Sequence, residues 1–334
     1  MNENFNNAAA SVSPRLRKIL TELSDEIKDS TYEIRLRAER PLNLIGKYGA
    51  VFIFENSTCS GRPSAECVKV SPEEIRDTFN RICSYSIHTF QRSINSGYIP
   101  MKGGNRAGIC GTAVCESGII ANVKDISSLN IRISRQVIGS ADKIVPLIKY
   151  DSRGLIIAGA PNSGKTTVLR DLVRQISSGN LGSFPKVCAI DERREISAVC
   201  DGIVTNDIGF TCDVLDSYPM AQAIDIAVRT LSPDIIACDE VSSPEEISAI
   251  ERGVNCGVKF VLTLHAGSYS DLLSRKQLEQ LLNTRAFGKV VLLGSGESIG
   301  SIKQVYDAGE LLNEIYLHHV NSGFMFDNRL SNSE

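Results

Sequence analysis

The sequence predicts an α/β fold in two parts: a three-layer domain built on a parallel sheet, preceded by a smaller α+β domain. Apolar runs at 154–159, 186–191, 234–239, 258–264 and 288–293 alternate with helical patterns near 165–177, 217–231, 244–254 and 269–283. That alternation implies parallel strands joined by right-handed crossovers. The part before residue 136 lacks this rhythm and instead carries short alternating strands among amphipathic helices. A length of 334 residues accommodates two cores of ordinary size.

Taken in order, residues 1–11 are polar and read as a disordered tail, and 12–137 as the N-terminal domain. Leu16, Ile19, Leu20, Leu23 and Ile27 recur at helical spacing, predicting one helix from Val12 to about Lys28. Tyr32 to Arg37 alternates strictly, as a half-buried strand does. Segments 42–45 and 51–54 read as two further strands, followed by a Ser-, Gly- and Pro-rich loop at 56–65. Ser71-Pro72-Glu73-Glu74 is a capping box that opens a helix carrying Ile75, Phe79 and Ile82. A helical or turn segment follows at 86–95, then strands at 109–115, 119–123 and 129–134. A helix at 142–149 opens the second domain, 138–320. Leu311–Val320 is open between strand and helix, and 321–334 reads as a frayed end. Ser-Pro-Glu-Glu-Ile recurs at 71–75 and 243–247, each copy a helix cap rather than a sign of duplication.

The most informative stretch is Gly159-Ala160-Pro161-Asn162-Ser163-Gly164-Lys165-Thr166, between an apolar strand and a helix that begins Lys165-Thr166-Thr167. It matches G-x-x-x-x-G-K-[ST] at every fixed position. Gly159 and Gly164 free the backbone to turn its N–H groups toward phosphate oxygens, and the helix that follows presents its positive end to the same anion. Lys165 would reach the β- and γ-phosphates of a nucleotide, and the Thr166 hydroxyl would ligate Mg²⁺.

Three further stretches bear on hydrolysis. Pro233 to Glu240 is an apolar strand ending in two carboxylates. Asp239 would approach the Mg²⁺ beside Thr166, leaving Glu240 to orient and polarise an attacking water. Capping the next helix is the competing role for these acids, but Ser243 already supplies that cap. His265 closes the strand Lys259–His265, where an imidazole could hydrogen-bond phosphate or water. Asp191-Glu192-Arg193-Arg194-Glu195 suits equally a second shell around the metal and a set of solvated ion pairs. Phosphoryl transfer also needs positive charge beyond Lys165, for which Arg106, Arg132, Arg135 and Arg229 are the candidates.

Composition sets bounds. The net charge of −3 gives no general electrostatic case for nucleic acid. No window approaches the ~18 apolar residues of a membrane span, and the first ten residues lack the basic and apolar regions of a signal peptide. A cytoplasmic protein that meets membranes through partners is the expectation. Several of the ten cysteines, such as Cys110, Cys188 and Cys238, lie inside apolar runs and read as small buried hydrophobes, and none forms a C-x-x-C pair.

With these motifs in this order, the chain resembles the secretion-superfamily ATPases, whose catalytic domain is a RecA-like P-loop fold. More narrowly it resembles the stage III sporulation protein AA family. The carrying segments are Glu33–Arg37 with Pro41-Leu42, Gly103–Gly111 and Ser127–Arg135, together with the ATPase motifs, and they span residues 33–266. The resemblance implies an ATPase of endospore-forming bacteria. It would bind ATP and Mg²⁺ and assemble as a homo-hexamer. It would act in the mother-cell cytoplasm with membrane proteins of a channel to the forespore, with no direct nucleic acid. It places Lys165, Thr166, Asp239, Glu240 and His265 at matching motif positions. Arg106 and Arg132 are similar to the arginines that the N-terminal domain of secretion ATPases brings to the nucleotide. The box at 191–195 departs from the Glu-Asp-Pro form common in those motors. A nucleic-acid-dependent ATPase and an ATP-assembled scaffold are the competing classes. The chain has neither an Arg-x-x-x-His single-strand motif near His318 and His319 nor the Asn-Lys-x-Asp guanine motif.

Overall fold

A computed structural model describes residues 3–47, 49–200 and 202–330. The chain forms two compact units. One runs to Arg135 and also takes in Ala198–Asn206; the other starts at Gln136 and leaves out that excursion.

The first unit is built on an antiparallel sheet. Its strands are β1 (Thr31–Arg37), β3 (Asn43–Gly46), β4 (Gly49–Ile53), β5 (Cys59–Ser60), β7 (Tyr98–Pro100), β8 (Arg106–Glu116) and β9 (Ile119–Arg132), in the order β5-β4-β3-β1-β9-β8-β7. The short β2 (Arg40–Pro41) and β6 (Lys69–Val70) pair separately. Ile34 and Leu36 of β1 face a core shared with the Pro72–Ile82 helix, which starts at the expected Ser71–Glu74 capping box. Two expectations are corrected. Residues 3–10 are not a disordered tail but a helix, Glu3–Ala10, because Phe5, Ala8 and Ala9 fall on one face and enter the core. Its end is tied down by Asn4 Nδ2 donating to Ser134 O at 2.9 Å and Asn105 Nδ2 donating to Asn4 O at 2.7 Å. The single helix expected over 12–28 is two, Pro14–Thr21 and Asp25–Ser30, since Ser24 starts a new helix as its N-cap.

The second unit is a three-layer α/β domain. Its sheet contains β10 (Gly154–Gly159), β11 (Val187–Asp191), β12 (Cys212–Asp216), β13 (Ile235–Cys238), β14 (Lys259–His265), β15 (Phe287–Leu293) and β16 (Ile302–Asp307), in the order β12-β11-β13-β14-β10-β15-β16. All neighbours are parallel except β15 and β16. Successive side chains enter opposite cores, Ile156 and Ala158 one, Leu155 and Ile157 the other. A sheet covered on both faces needs such apolar strands. The second capping box, Ser243 with Glu246, opens the Pro244–Asn255 helix. The segment left open at 311–320 is helical, within Ala308–Leu330. The expected frayed end therefore falls partly on this helix and partly on 331–334, which lie outside the described residues.

Asp171, 1% exposed on the Lys165–Ser177 helix, ties that helix to the segment leading into the domain. It accepts from Ala141 N at 2.9 Å, from Gln175 Nε2 at 3.0 Å and from Arg174 Nη2 at 2.7 Å. Burial opposes its ionisation, but these donors outweigh burial and hold the carboxyl below its usual range. Its contribution to stability is thus present above the unfolded pKa of ~3.9 and is lost as pH falls through the lower folded value. Asp171→Ala is expected to cost roughly 3 kcal/mol at neutral pH, read from the urea midpoint, with the deficit shrinking in acid.

Candidate active site

The loop between β10 and the Lys165–Ser177 helix is shaped by its two glycines. Gly164 has φ 88°, in the left-handed region, and a Cβ on Gly159 would stand 2.3 Å from Ser163 Oγ. Ser163 is fully buried and its hydroxyl has no hydrogen-bond partner among the described residues. Lys165, 7% exposed, donates to Gly159 O at 3.0 Å and Ala160 O at 2.9 Å, and its Nζ lies 3.2 Å from His265 Nδ1. Burial lowers the pKa of this ammonium, and Asp239 and Glu240 oppose that shift.

Strand order places the remaining groups. β14 lies between β10 and β13, and its register sets His265 level with Gly159. The residues after β13 turn in toward the same edge. Asp239 Oδ2 accepts from Thr166 Oγ1 at 2.8 Å, and Asp239 Oδ1 accepts from Thr263 Oγ1 at 2.5 Å. Burial pushes the Asp239 carboxyl above its usual range, against those two hydrogen bonds and with help from Glu195 and Glu240. Glu240 has φ 54°, a strained conformation for a residue with a side chain. Its N–H donates to Thr263 Oγ1 at 2.7 Å, so one hydroxyl fixes both acids. An ammonium only donates, so His265 Nδ1 accepts from Lys165 and the ring proton sits on Nε2, 3.2 Å from Glu240 Oε1.

These residues surround one cavity of about 440 Å³, lined by Pro161 to Thr167 with Glu195, Asp239, Glu240, Thr263 and His265. The structure thus brings Lys165, Thr166, Asp239, Glu240 and His265 to one cavity. Thr263 was overlooked as a participant, although a polar residue in the middle of the buried run Phe260–Leu264 was a usable signal.

The stretch 191–195 divides its roles. Asp191, 2% exposed, accepts from the N–H groups of Glu195 (2.7 Å), Ile196 (3.1 Å) and Ser197 (2.7 Å), pinning the loop to the end of β11. Arg194 grips Asp216 at 2.9 Å. Arg193 Nη1 donates to Glu240 Oε2. The ion pairs the sequence allowed are thus present on Arg193 and Arg194, while Asp191 holds the loop backbone.

The candidate arginines fall into two groups. Arg106 and Arg132 belong to the first unit, where they are direct cross-strand partners on β8 and β9. The Arg132 side chain is 71% exposed, with Nε 3.7 Å from Glu33 Oε1, and the Arg106 guanidinium lies 5.4 Å from the Tyr98 ring centre. Arg135 covers the Tyr32 ring at 4.7 Å and donates to Thr31 O at 2.9 Å, and Arg229 Nε donates to Asp225 O in its own helix. Those last two arginines are engaged locally.

The donor set fits magnesium and a phosphate chain. Thr166 Oγ1 and Asp239 Oδ2 are adjacent hard oxygens, and a cation would relieve the buried Asp239 carboxylate. The loop's unsatisfied Ser163 hydroxyl and the narrow turn at Gly159 suit an anion held close to backbone.

A family model described as "Sporulation stage III, protein AA" matches residues 3–312. The chain belongs to the stage III sporulation protein AA family. The stage III sporulation protein AA of Bacillus subtilis (strain 168) is 32% identical over 304 residues, covering 90% of this chain and 95% of that one. The uncharacterized protein ycf45 of Porphyra purpurea is 28% identical over 200 residues, 59% of this chain and 34% of its own length. Among solved structures, the pilus retraction motor PilT with bound ADP aligns with a TM-score of 0.56 at 16% identity, covering 90% of this chain and 89% of the motor. This member of the sporulation family therefore shares the fold of that pilus motor, with a RecA-like P-loop domain after a smaller N-terminal one. No helix among the described residues is long and apolar enough to cross a membrane.

Proposed function

We propose that this chain is an Mg²⁺-dependent ATPase that works as a ring of six subunits. The observation that carries the reading is the convergence of Lys165, Thr166, Asp239, Glu240 and His265 on one cavity at the carboxyl edge of a parallel sheet. The phosphates would lie along the backbone N–H groups of 160–166, with Lys165 turning from its carbonyl partners to the β- and γ-phosphates. Thr166 and Asp239 would hold Mg²⁺, which when bound neutralises charge developing on the phosphate oxygens. Glu240 orients the attacking water and takes its proton; the water oxygen bonds to the γ-phosphorus as the bond to the bridging oxygen breaks and ADP leaves. His265 steadies that carboxylate.

Arg106 and Arg132 supply the further positive charge. What supports this role is the similarity to the arginines that the N-terminal domain of secretion ATPases brings to the nucleotide, and their pairing across β8 and β9 places the two residues side by side. Family membership supports the rest of the reading: a hexamer, membrane-protein partners of a channel between mother cell and forespore, and the mother-cell cytoplasm as location. In this reading the N-terminal domain moves about the linker at 136–142 as nucleotide turns over. The test is ATP hydrolysis measured across protein concentration with oligomer size followed alongside. A motor hydrolyses ATP as the ring forms. Assembly on ATP with no phosphate released would leave only a scaffold.

A further inference from the structure

Glu240 is held at three points, and the third has no place in the mechanism above. Thr263 fixes its backbone, His265 Nε2 meets Oε1, and Arg193 meets Oε2. We propose that Arg193 is a positioning residue for Glu240, holding its carboxylate in the orientation that activates water; this rests on the reading of Glu240 as the water-orienting group.

Arg193 is mounted on a constrained loop. The loop around it is pinned independently of it, by Asp191 accepting from three successive N–H groups and by Arg194 on Asp216. The backbone carbonyl of Glu195 is held from the other side by Arg170 Nε at 2.9 Å. Arg193 therefore reaches Glu240 from a rigid base. Its own side chain is 63% exposed, and an ion pair that open to water adds little to stability. Its guanidinium donates to Glu240 Oε2, so the role assigned to it is exerted through that carboxylate.

What it supplies is restraint. The Glu240 side chain is 29% exposed and has three rotatable bonds. With only His265 at one oxygen, the carboxylate could swing about that contact. A guanidinium at the other oxygen fixes the plane of the group, which a point-charge ammonium does less well. A misplacement of about 1 Å at a reacting group can cost ~100-fold in rate.

The experiment compares phosphate release by the full-length wild type, Arg193→Ala, Arg193→Lys, Glu240→Gln and the Arg193→Ala/Glu240→Gln double variant, with single-turnover rates for the slow ones. Arg193→Ala is expected to lower kcat about 10- to 100-fold with KM for ATP within about threefold. Arg193→Lys should recover part of the loss, and the thermal midpoint should stay at the wild-type value. In the Glu240→Gln background, removing Arg193 should cost nothing more, because both changes disable one unit. The proposal is overturned by wild-type kcat in Arg193→Ala, by a raised KM with kcat intact, by a further tenfold loss in the double variant, or by a lowered thermal midpoint marking a structural role. Wild-type turnover in Glu240→Gln would remove the underlying reading of Glu240 itself. Loss there with none in Arg193→Ala would remove Arg193 alone.

Discussion

Glu240→Gln is expected to bind ATP with near wild-type affinity and to lose turnover by about 10²- to 10⁴-fold, the usual worth of a positioned general base. The separation of the two effects follows from the geometry. Phosphate binding draws on the loop backbone, Lys165 and Thr166; Glu240 only assists the Lys165 charge, and Asp239 still does so in the variant. Asp239 keeps both threonine hydroxyls, since Thr263 accepts from the Glu240 main-chain N–H and not from its side chain. The amide is nearly isosteric, its oxygen can still accept from either His265 or Arg193, and the main-chain bond to Thr263 is untouched, so the fold around it survives. Only the ability to take a proton from water is lost. Equilibrium titration with an ATP analogue, set beside the steady-state rate, reads the two effects separately. A variant that hydrolyses ATP at the wild-type rate would remove Glu240 from the mechanism.

Lys165→Ala is expected to act on the other side of that division, in binding. The ammonium is engaged by Gly159 O, Ala160 O and His265 Nδ1. Burial disfavours its charge, and the nearby carboxylates offset part of that penalty. A phosphate would give the buried cation a stronger partner. A hydrogen bond to a charged group is worth about 1.5–3 kcal/mol, so the variant should lose roughly 10- to 150-fold in ATP affinity. Turnover falls with it, because the cation that meets the transferring phosphoryl group is gone. Isothermal titration of the variant at neutral pH measures the loss, and an unchanged Kd would contradict the assignment.

Much of this site can be read in the sequence because it lies on buried strands and a loop of fixed spacing. The run 154–159, the glycines at 159 and 164 and the Lys165-Thr166 pair each announce their own backbone. Parallel strands then bring Asp239, Glu240 and His265 to the same edge without any further signal. Elements at sheet edges escaped. β12 and β16 bound the parallel-rich sheet, and each is largely half-exposed, so neither shows the apolar run that marks the central strands. β7, also an edge strand, has three residues. The helix Glu3–Ala10 was hidden by its Asn-rich composition, although Phe5, Ala8 and Ala9 at i, i+3 and i+4 carried the signal. The helix expected over 269–283 breaks at Arg275 into Tyr269–Ser274 and Lys276–Asn283.

Contacts between distant side chains were the least legible. Nothing in Asp191-Glu192-Arg193-Arg194-Glu195 tells which arginine reaches Glu240 and which grips Asp216. That depends on β11 lying beside both β12 and β13, and β12 was one of the strands missed. Thr263 is similar, since its hydroxyl matters only once β13 and β14 are neighbours.

The most direct measurement of the central claim is the time course of inorganic phosphate release by the purified wild-type protein at saturating ATP, with Mg²⁺ and again with the ion chelated. The account predicts sustained release over many turnovers with Mg²⁺ and its collapse on chelation. Saturated ATP binding with no phosphate released above the Glu240→Gln background would contradict it.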